Sequence, residues 1–324
     1  MKRRSVLIAA LAAPSIVPAV ALGQGAWPNK TVKFICPFAP GGGTDTVSRL
    51  MCDQLSKSLG QTFVVDNKGG AGGNIGTVEL ARAAPDGYTI GLISVASHTL
   101  NPMLYSRLPY NPDKDIVAVS RVAILANLLG VTPSLPANNV AELIALCKKE
   151  PGKYSFASSG PGTPYHMAGE LFKALGGFSM VHVPYKGSAG ARTDVLGGQV
   201  DMMFDAIPTM TEHIRSGKVK ALATTGKARS ATLPEVPTMA EAGVPNYEAT
   251  IWLGLMAPKS TPAAVVARLN AEVSRITGNA EVRRAWAAQG TTPMTMGVDE
   301  FAKYVDEDIV KWTRIVKLSG AKAE

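Results

Sequence analysis

Residues 34–50, FICPFAPGGGTDTVSRL, join an apolar run to a helical pattern through a glycine-rich turn. The apolar run predicts a buried strand, and the apolar spacing across 46–59 predicts an amphipathic helix. The N–H groups at a helix start have no helical partner, and glycines let a ligand approach them closely. The turn at 40–45 therefore suits an anion such as phosphate or carboxylate. A plain tight turn, with Thr44 or Asp45 capping the helix, fits the same residues equally well.

Outward from this turn, short apolar strands alternate with amphipathic helices. A strand pattern at 31–35 opens the series, and the same alternation returns between 141 and 223. Long helices are predicted at 262–277 and 298–319. This alternation predicts an α/β fold whose parallel sheets are built from βαβ units.

The length of 324 residues is enough for two domains. The chain is expected to cross between them near 124–129 and again near 247–252. A double crossing gives two lobes with a cleft between them. Lobe 1 is predicted to comprise 24–124 and 251–324, and lobe 2 to comprise 125–250.

The first 23 residues have the pattern of a secretory signal peptide. Basic residues at 2–4 precede an apolar stretch at 6–22, which Pro14 and Pro18 interrupt, and small residues stand before Gly23. Arg3-Arg4 resembles a twin-arginine signal, but paired basic residues are common in ordinary signals, so the general secretory (Sec) route is favoured. We therefore expect an exported protein.

Charge and cysteine content narrow the classes of partner. Without the three basic signal residues, 30 Lys and Arg stand against 25 Asp and Glu, a balance that suits an anionic ligand or a solvated basic surface. No basic block interleaved with aromatic residues predicts nucleic-acid binding. Cys36, Cys52 and Cys147 lie in apolar patterns and are expected to be buried free thiols, with a Cys36–Cys52 bridge as the alternative. No CxxC or HExxH pattern predicts a metal site.

Known enzyme motifs are missing from the glycine-rich turns. The P-loop pattern and the GxGxxG fingerprint do not occur, and the looser GxGxxxG at 70–76 lacks the acidic residue after the next strand. No nucleotide cofactor is therefore expected. A secreted α/β hydrolase is the rival interpretation. The GxSxG nucleophile elbow of such enzymes is also absent. Of the four histidines, His166 alone is placed in a site, because it follows the polar turn at 157–163.

Read in order, the turns resemble the substrate-binding proteins of tripartite tricarboxylate transporters, the Bug family of periplasmic receptors. The ordered motifs that carry the resemblance are PFAPGGGTD (37–45), GGAGGNIG (69–76), APDGYT (84–89), NPMLY (101–105), HVPYKG (182–187), LGGQVD (196–201), LPEVPT (233–238) and EAG (241–243).

The resemblance implies a periplasmic receptor with the two-lobed type II periplasmic-binding-protein fold, a Venus flytrap with its ligand cleft between the lobes. Such a receptor closes on a small organic carboxylate and delivers it to the integral membrane subunits of the transporter; a sensor feeding a signalling kinase is the alternative. A monomer without cofactor or metal is expected. In the family, main-chain N–H groups of the first turn hold a ligand carboxylate, with ordered water helping. Carried onto this sequence, the ligand-binding residues are Pro40, Gly41, Gly42, Gly43, Thr44, Asp45, Ser158, Gly160, Thr163, His166, Tyr185, Lys186, Gly187 and Asp205.

The ligand itself stays open at this stage. A second anchoring charge from Lys186 or Arg192 would favour a dicarboxylate. A single anchor beside Tyr185 and Trp252 would favour an aromatic acid. Gly190 stands where the family often has proline, which predicts a looser turn there.

Overall fold

The computed structural model describes residues 27–322. The predicted signal peptide therefore lies outside the described residues. The strands are β1 (Val32–Cys36), β2 (Phe63–Asn67), β3 (Thr89–Ser94), β4 (Ile116–Leu125), β5 (Asn127–Val131), β6 (Ser155–Ser158), β7 (Val181–Pro184), β8 (Met202–Ala206), β9 (Lys220–Thr224), β10 (Ile251–Pro258) and β11 (Thr291–Pro293).

The helices surround these strands. They are α1 (Gly43–Leu59), α2 (Asn74–Ala81), α3 (Asn101–Leu104), α4 (Pro112–Asp115), α5 (Val140–Lys149), α6 (Pro164–Gly176), α7 (Ser188–Leu196), α8 (Ile207–Arg215), α9 (Ala263–Gly278), α10 (Ala280–Ala287) and α11 (Val298–Ser319). A 3-10 turn (Ala71–Gly73) precedes α2, and a π-helical segment (Ala96–Leu100) precedes α3.

The strands form two sheets, as expected for a two-lobed α/β fold. The six-stranded sheet has the order β11-β4-β10-β3-β1-β2, and the five-stranded sheet has the order β7-β6-β8-β5-β9. The pairs β1–β2, β1–β3, β6–β7 and β6–β8 are parallel. The pairs that involve β4, β5 or β10 are antiparallel. The sheets are therefore mixed. The parallel pairs expected of βαβ units are present, but β5 and β10, each the first strand after a crossing, run opposite to both of their neighbours.

The chain passes between the sheets at Ala126, between β4 and β5, and again along 225–250. Hydrogen bonds join the two crossings. Asn127 donates its backbone N–H to Thr225 Oγ1 at 3.0 Å and its side-chain amide to the Ala249 carbonyl at 3.1 Å. Thr225 Oγ1 donates to that same carbonyl at 2.9 Å. Both crossings lie close to the predicted positions, and the residue boundaries given above for the lobes stay predictions.

Helix α1 illustrates how local sequence fixes an element near the cleft. Gly42 is extended before the helix, and Val47, Met51 and Leu55 recur every fourth residue on its buried face. The helix ends at Gly60, whose left-handed backbone (φ 67°) donates its N–H to the Ser56 carbonyl. Burial of the apolar face holds α1 against the six-stranded sheet and fixes its first residues at the carboxyl end of β1.

The described cysteines are buried and free. Burial raises the pKa of the Cys36 and Cys147 thiols to about 11 and raises that of Cys52 further. The expectation of free thiols is confirmed, and the Cys36–Cys52 bridge does not form. Among residues 27–322, no helix is both long and apolar enough to cross a membrane.

Candidate functional site

A narrow slot lies between the two sheets, where the turn after β1 meets the start of α7. The volume of the slot that is open to the centre of a water molecule is about 20 Å³. None of its lining residues carries a charged side chain. They are Phe38, Ala39, Gly42, Gly43, Thr44, Ser94, Ser159, Pro164, Tyr165, Gly187, Ser188 and Ile251.

The first wall of the slot is the start of α1. Thr46 is the first residue whose N–H bonds back into the turn, to the Gly42 carbonyl at 3.0 Å. The N–H groups of Gly43, Thr44 and Asp45 precede it and have no partner one turn back. A Cβ on Gly43 would stand 2.7 Å from Ala206 Cβ and 2.9 Å from Leu125 Cδ1. Glycine is therefore required here, because the other lobe approaches the bare backbone.

Asp45 lies behind this wall and organises it. Its carboxylate accepts bonds from Gly41 N at 2.9 Å, Arg49 Nε at 3.0 Å and Asn67 Nδ2 at 2.9 Å. Asn67 also donates to the Phe38 carbonyl at 3.0 Å. Burial opposes ionisation of Asp45, but the bonds from Arg49, Gly41 and Asn67 outweigh it, so the pKa of the carboxyl lies below its ordinary value. Asp45 is thus an ionised brace that shapes the turn.

The opposite wall is the start of α7. Gly187 precedes the helix with no side-chain cap, and Ser188 opens it. A Cβ on Gly187 would stand 2.8 Å from Ala39 Cβ, and one on Gly42 would stand 3.1 Å from Ser188 Oγ. Two uncapped helix starts, one from each lobe, therefore line the slot together. Their N–H groups and dipoles give a positive potential where no cationic side chain is present.

The turn after β6 supports the second wall from behind. Ser158 Oγ accepts the Gly160 N–H at 3.1 Å and lies 2.7 Å from His182 Nε2. Thr163 caps α6 and donates its hydroxyl to the Gly160 carbonyl at 2.7 Å. Ser158, Gly160 and Thr163 are therefore engaged in holding the turn. Its neighbours Ser159, Pro164 and Tyr165 are the ones that reach the slot.

His166 belongs to this support. Its Nδ1 accepts the Gly162 N–H at 3.1 Å, and its ring stacks on His182 with centroids 4.0 Å apart. Burial, helped by His182 and Lys173, lowers the pKa of His166 to about 3. Burial and Lys173 lower the pKa of His182 to about 4. Both imidazoles are neutral at pH 7, and neither lines the slot.

Asp205 is also used within the protein. It is fully buried and accepts bonds from Arg192 Nε at 2.8 Å, Thr209 Oγ1 at 3.0 Å and Ala206 N at 2.9 Å. Burial raises the pKa of this carboxyl, although Arg192 opposes the shift. Arg192 also donates to the Gly41 carbonyl at 3.3 Å. The pair therefore links the second lobe to the turn of the first.

The remaining predicted residues lie at the rim. Pro40, Gly41 and Lys186 are exposed, and Tyr185 directs its hydroxyl to Asp194. Trp252, offered for an aromatic ligand, is buried elsewhere and donates to Asp308 at 2.7 Å.

Of the predicted residues, the structure brings Gly42, Gly43, Thr44 and Gly187 together at the slot. Ser188 is the main addition. It lies in the small-residue run after Gly187, where α7 begins. Among the described residues, no group of His, Cys, Asp and Glu could hold a metal ion.

The fold has two lobes joined by a double crossing, and a slot suited to anions lies between them. This arrangement defines a solute-binding protein of the periplasmic type. The profile of the "Tripartite tricarboxylate transporter family receptor" matches residues 47–321, and the chain belongs to that family. The resemblance inferred from the sequence motifs is thereby confirmed.

Relatives agree in sequence and in fold. Protein BugT of Bordetella pertussis is 39% identical over 298 residues, which cover 91% of each chain. The structure of Rpa4515 from R. palustris with adipate has 34% identity and a TM-score of 0.89, covering 91% of this chain and 99% of that one. MatC from Rhodopseudomonas palustris with bound malate has 34% identity and a TM-score of 0.84, covering 90% and 100%.

Proposed function

We propose that this periplasmic receptor captures a small organic carboxylate in the slot and delivers it to the membrane subunits of a tripartite tricarboxylate transporter. The observation that carries the proposal is the meeting of two uncapped helix starts, α1 and α7, across a slot without charged side chains. One carboxylate group would accept N–H bonds from Gly43 and Thr44, and Ser188 would donate from the other wall.

A slender dicarboxylate is the ligand class that the site favours. The two helix starts offer donors at both walls, and Phe38, Ala39 and Ile251 supply apolar surface between polar groups. The adipate and malate held by two relatives are both dicarboxylates. Lys186 is not needed as an anchor, because backbone donors supply the positive potential.

Hydrogen bonds alone can supply the free energy of micromolar binding, without covalent chemistry. Hydrogen bonds to a charged group contribute about 1.5–3 kcal/mol each. Four or five of them, less the cost of ordering, reach the ~8 kcal/mol of micromolar binding. The family is one of solute-binding receptors, and we assign no catalytic step to this chain.

Thermal unfolding of the chain from Gln24 onward, against a carboxylate panel, tests the proposal. The panel holds malate, adipate, citrate, aromatic acids and acidic amino acids, with sugars and neutral amino acids as controls. We expect one carboxylate class to raise the Tm by several degrees, since ligand at about 100 times its Kd adds ~2.7 kcal/mol.

Two matched variants test whether the rise in Tm comes from binding in the slot. Ser188→Ala removes a slot hydroxyl and should weaken the response, whereas Thr193→Val, on an exposed turn of the same helix, should leave it intact. A chain that gives no response to any carboxylate, even after unfolding, dialysis and refolding to remove a retained ligand, would refute the proposal.

A further inference from the structure

A second cavity lies beside the two crossings, away from the slot. The centre of a water molecule can occupy about 520 Å³ of it, and no residue lines both cavities. Its walls come from β4 and β11 of the six-stranded sheet, from the start of α8 on the five-stranded sheet and from the crossing segment after Gly226. A ligand here would touch both lobes at their junction.

Arg121 is the residue of this cavity that favours a bound ligand. Its residue is 3% exposed, and its guanidinium stacks 3.8 Å from the Tyr304 ring centroid. Nε is buried without a hydrogen-bond partner, and Nη1 reaches only the Met296 sulfur at 3.7 Å. Among residues 27–322, no carboxylate forms an ion pair with it. Asp308 and Glu300 act on the guanidinium through space, but no carboxylate of the described residues bonds to it. A buried cation without a bonded anion is costly, so a site that retains one favours an anion.

An irregularity in β4 directs the Arg121 side chain into the cavity. Arg121 and Ile124 both line the cavity, although their odd spacing on β4 would normally place them on opposite faces. The register of β4 against β10 shifts between Leu253 and Gly254, opposite Ala123 and Arg121. A bulge of this kind redirects a side chain, and here it turns Arg121 toward the cavity.

The other cations of the cavity already have acidic partners. Lys227 pairs with Glu248 at 3.4 Å, and Arg229 pairs with Glu241 at 2.8 Å. They stand in exposed positions, where they would attract an anion toward the mouth. Arg121, at the base, is the one cation among the cavity-lining residues to which no carboxylate is bonded.

We propose that this cavity is a second binding site, for a small oxyanion that Arg121 holds at the junction of the lobes. The planar guanidinium suits the paired oxygens of a carboxylate or of a phosphate. Because the walls belong to both lobes, occupancy stabilises their relative arrangement.

The test is thermal unfolding with inorganic phosphate and with acetate as probes, sodium chloride replacing each to keep ionic strength constant. We expect one or both probes to raise the Tm of the wild type beyond chloride. Arg121→Gln should weaken the apparent affinity at least about tenfold. Arg215→Gln, on the surface of α8, is the matched control and should respond as the wild type does.

The outcomes separate this site from the slot. A response to one probe alone supports the proposal and identifies the anion as a phosphate or a carboxylate. A response that survives Arg121→Gln but is lost in Ser188→Ala belongs to the slot and overturns the proposal, as does the absence of any response in the wild type. Should Arg121→Gln fail to unfold cooperatively, Arg121→Lys decides, because lysine keeps the charge but loses the planar fork. An unchanged affinity in that variant overturns the proposal.

Discussion

At Asp45, a charge in the glycine turn acts on the slot through the backbone. The carboxylate holds the Gly41 N–H, Arg49 and Asn67, so it fixes the direction of the free N–H groups that follow. We predict that Asp45→Asn lowers the free energy of unfolding by about 1.5–3 kcal/mol, because it removes charge-assisted bonds at a buried position. Chemical denaturation measures the change, and calorimetry with the carboxylate found by the screen should show weaker binding.

Asp53→Asn is the control for that variant. Asp53 lies on the same helix, but its ion pair with Lys57 is exposed. The free energy of unfolding should therefore fall by less than about 1 kcal/mol. The pKa of Asp45 is depressed in the folded state, so its stabilisation is present above the ordinary value of 3.8 and is lost as the pH falls below it. Equal effects of the two variants would contradict the role of Asp45 as a brace.

At Gly43, the other lobe leaves no room for a side chain. We predict that Gly43→Ala weakens carboxylate binding more than tenfold, because the new methyl group would meet Ala206 and Leu125 when the lobes close. Gly278→Ala, which has open space around its Cβ, is the matched control and should bind normally. Calorimetric titration of both variants checks this, and normal affinity in Gly43→Ala would show that the slot tolerates a wider opening.

The support behind the second wall should make stability depend on pH. The pKa values of His166 and His182 lie near 3 and 4 in the folded protein, against an ordinary value of 6.5. The unfolded chain therefore binds more protons in this window, so stability falls as the pH drops from about 6.5 toward 4. The charged or polar neighbours of the stack are Glu170, Lys173 and Ser158.

We predict that His166→Gln flattens this dependence by up to about 1.4 kcal/mol per pH unit, since one imidazole no longer has to stay neutral. Glutamine can still accept the Gly162 N–H. Denaturation midpoints across the window measure the slope. His213→Gln, at a less buried histidine on α8, should change it little, and identical slopes in all three proteins would exclude the histidine stack as the cause.

The sequence predicts elements with strong periodicity and misses those that depend on tertiary context. The span of α11 was predicted as observed, because its apolar residues repeat regularly over six turns. The start of α7 could not be predicted, since Ser188, Ala189 and Gly190 carry no apolar pattern. The turn at 40–45 was predicted as an anion site from its glycines, whereas the bracing role of Asp45 depends on Asn67, which lies on another strand. The reversed direction of β5 and β10 follows from the crossings, which no local pattern encodes.

At the scale of the whole molecule, two sets of hydrogen bonds join the lobes. The bonds among Asn127, Thr225 and Ala249 hold the two crossings together. Arg192 reaches from the second lobe to the Gly41 carbonyl of the first. Because this bond spans the two lobes, opening of the slot would break it.

We predict that Arg192→Lys shifts the lobes toward the open arrangement. A lysine keeps a positive charge for the buried Asp205 but loses the fork that also reaches Gly41. Loss of this one bond, worth about 1 kcal/mol, should weaken carboxylate binding roughly fivefold. Small-angle X-ray scattering at subsaturating ligand should then show a larger radius of gyration than for the wild type. Arg215→Lys on exposed α8 is the control, and a variant at 192 with wild-type affinity and wild-type scattering would mean that closure rests on the ligand's own bonds to α1 and α7.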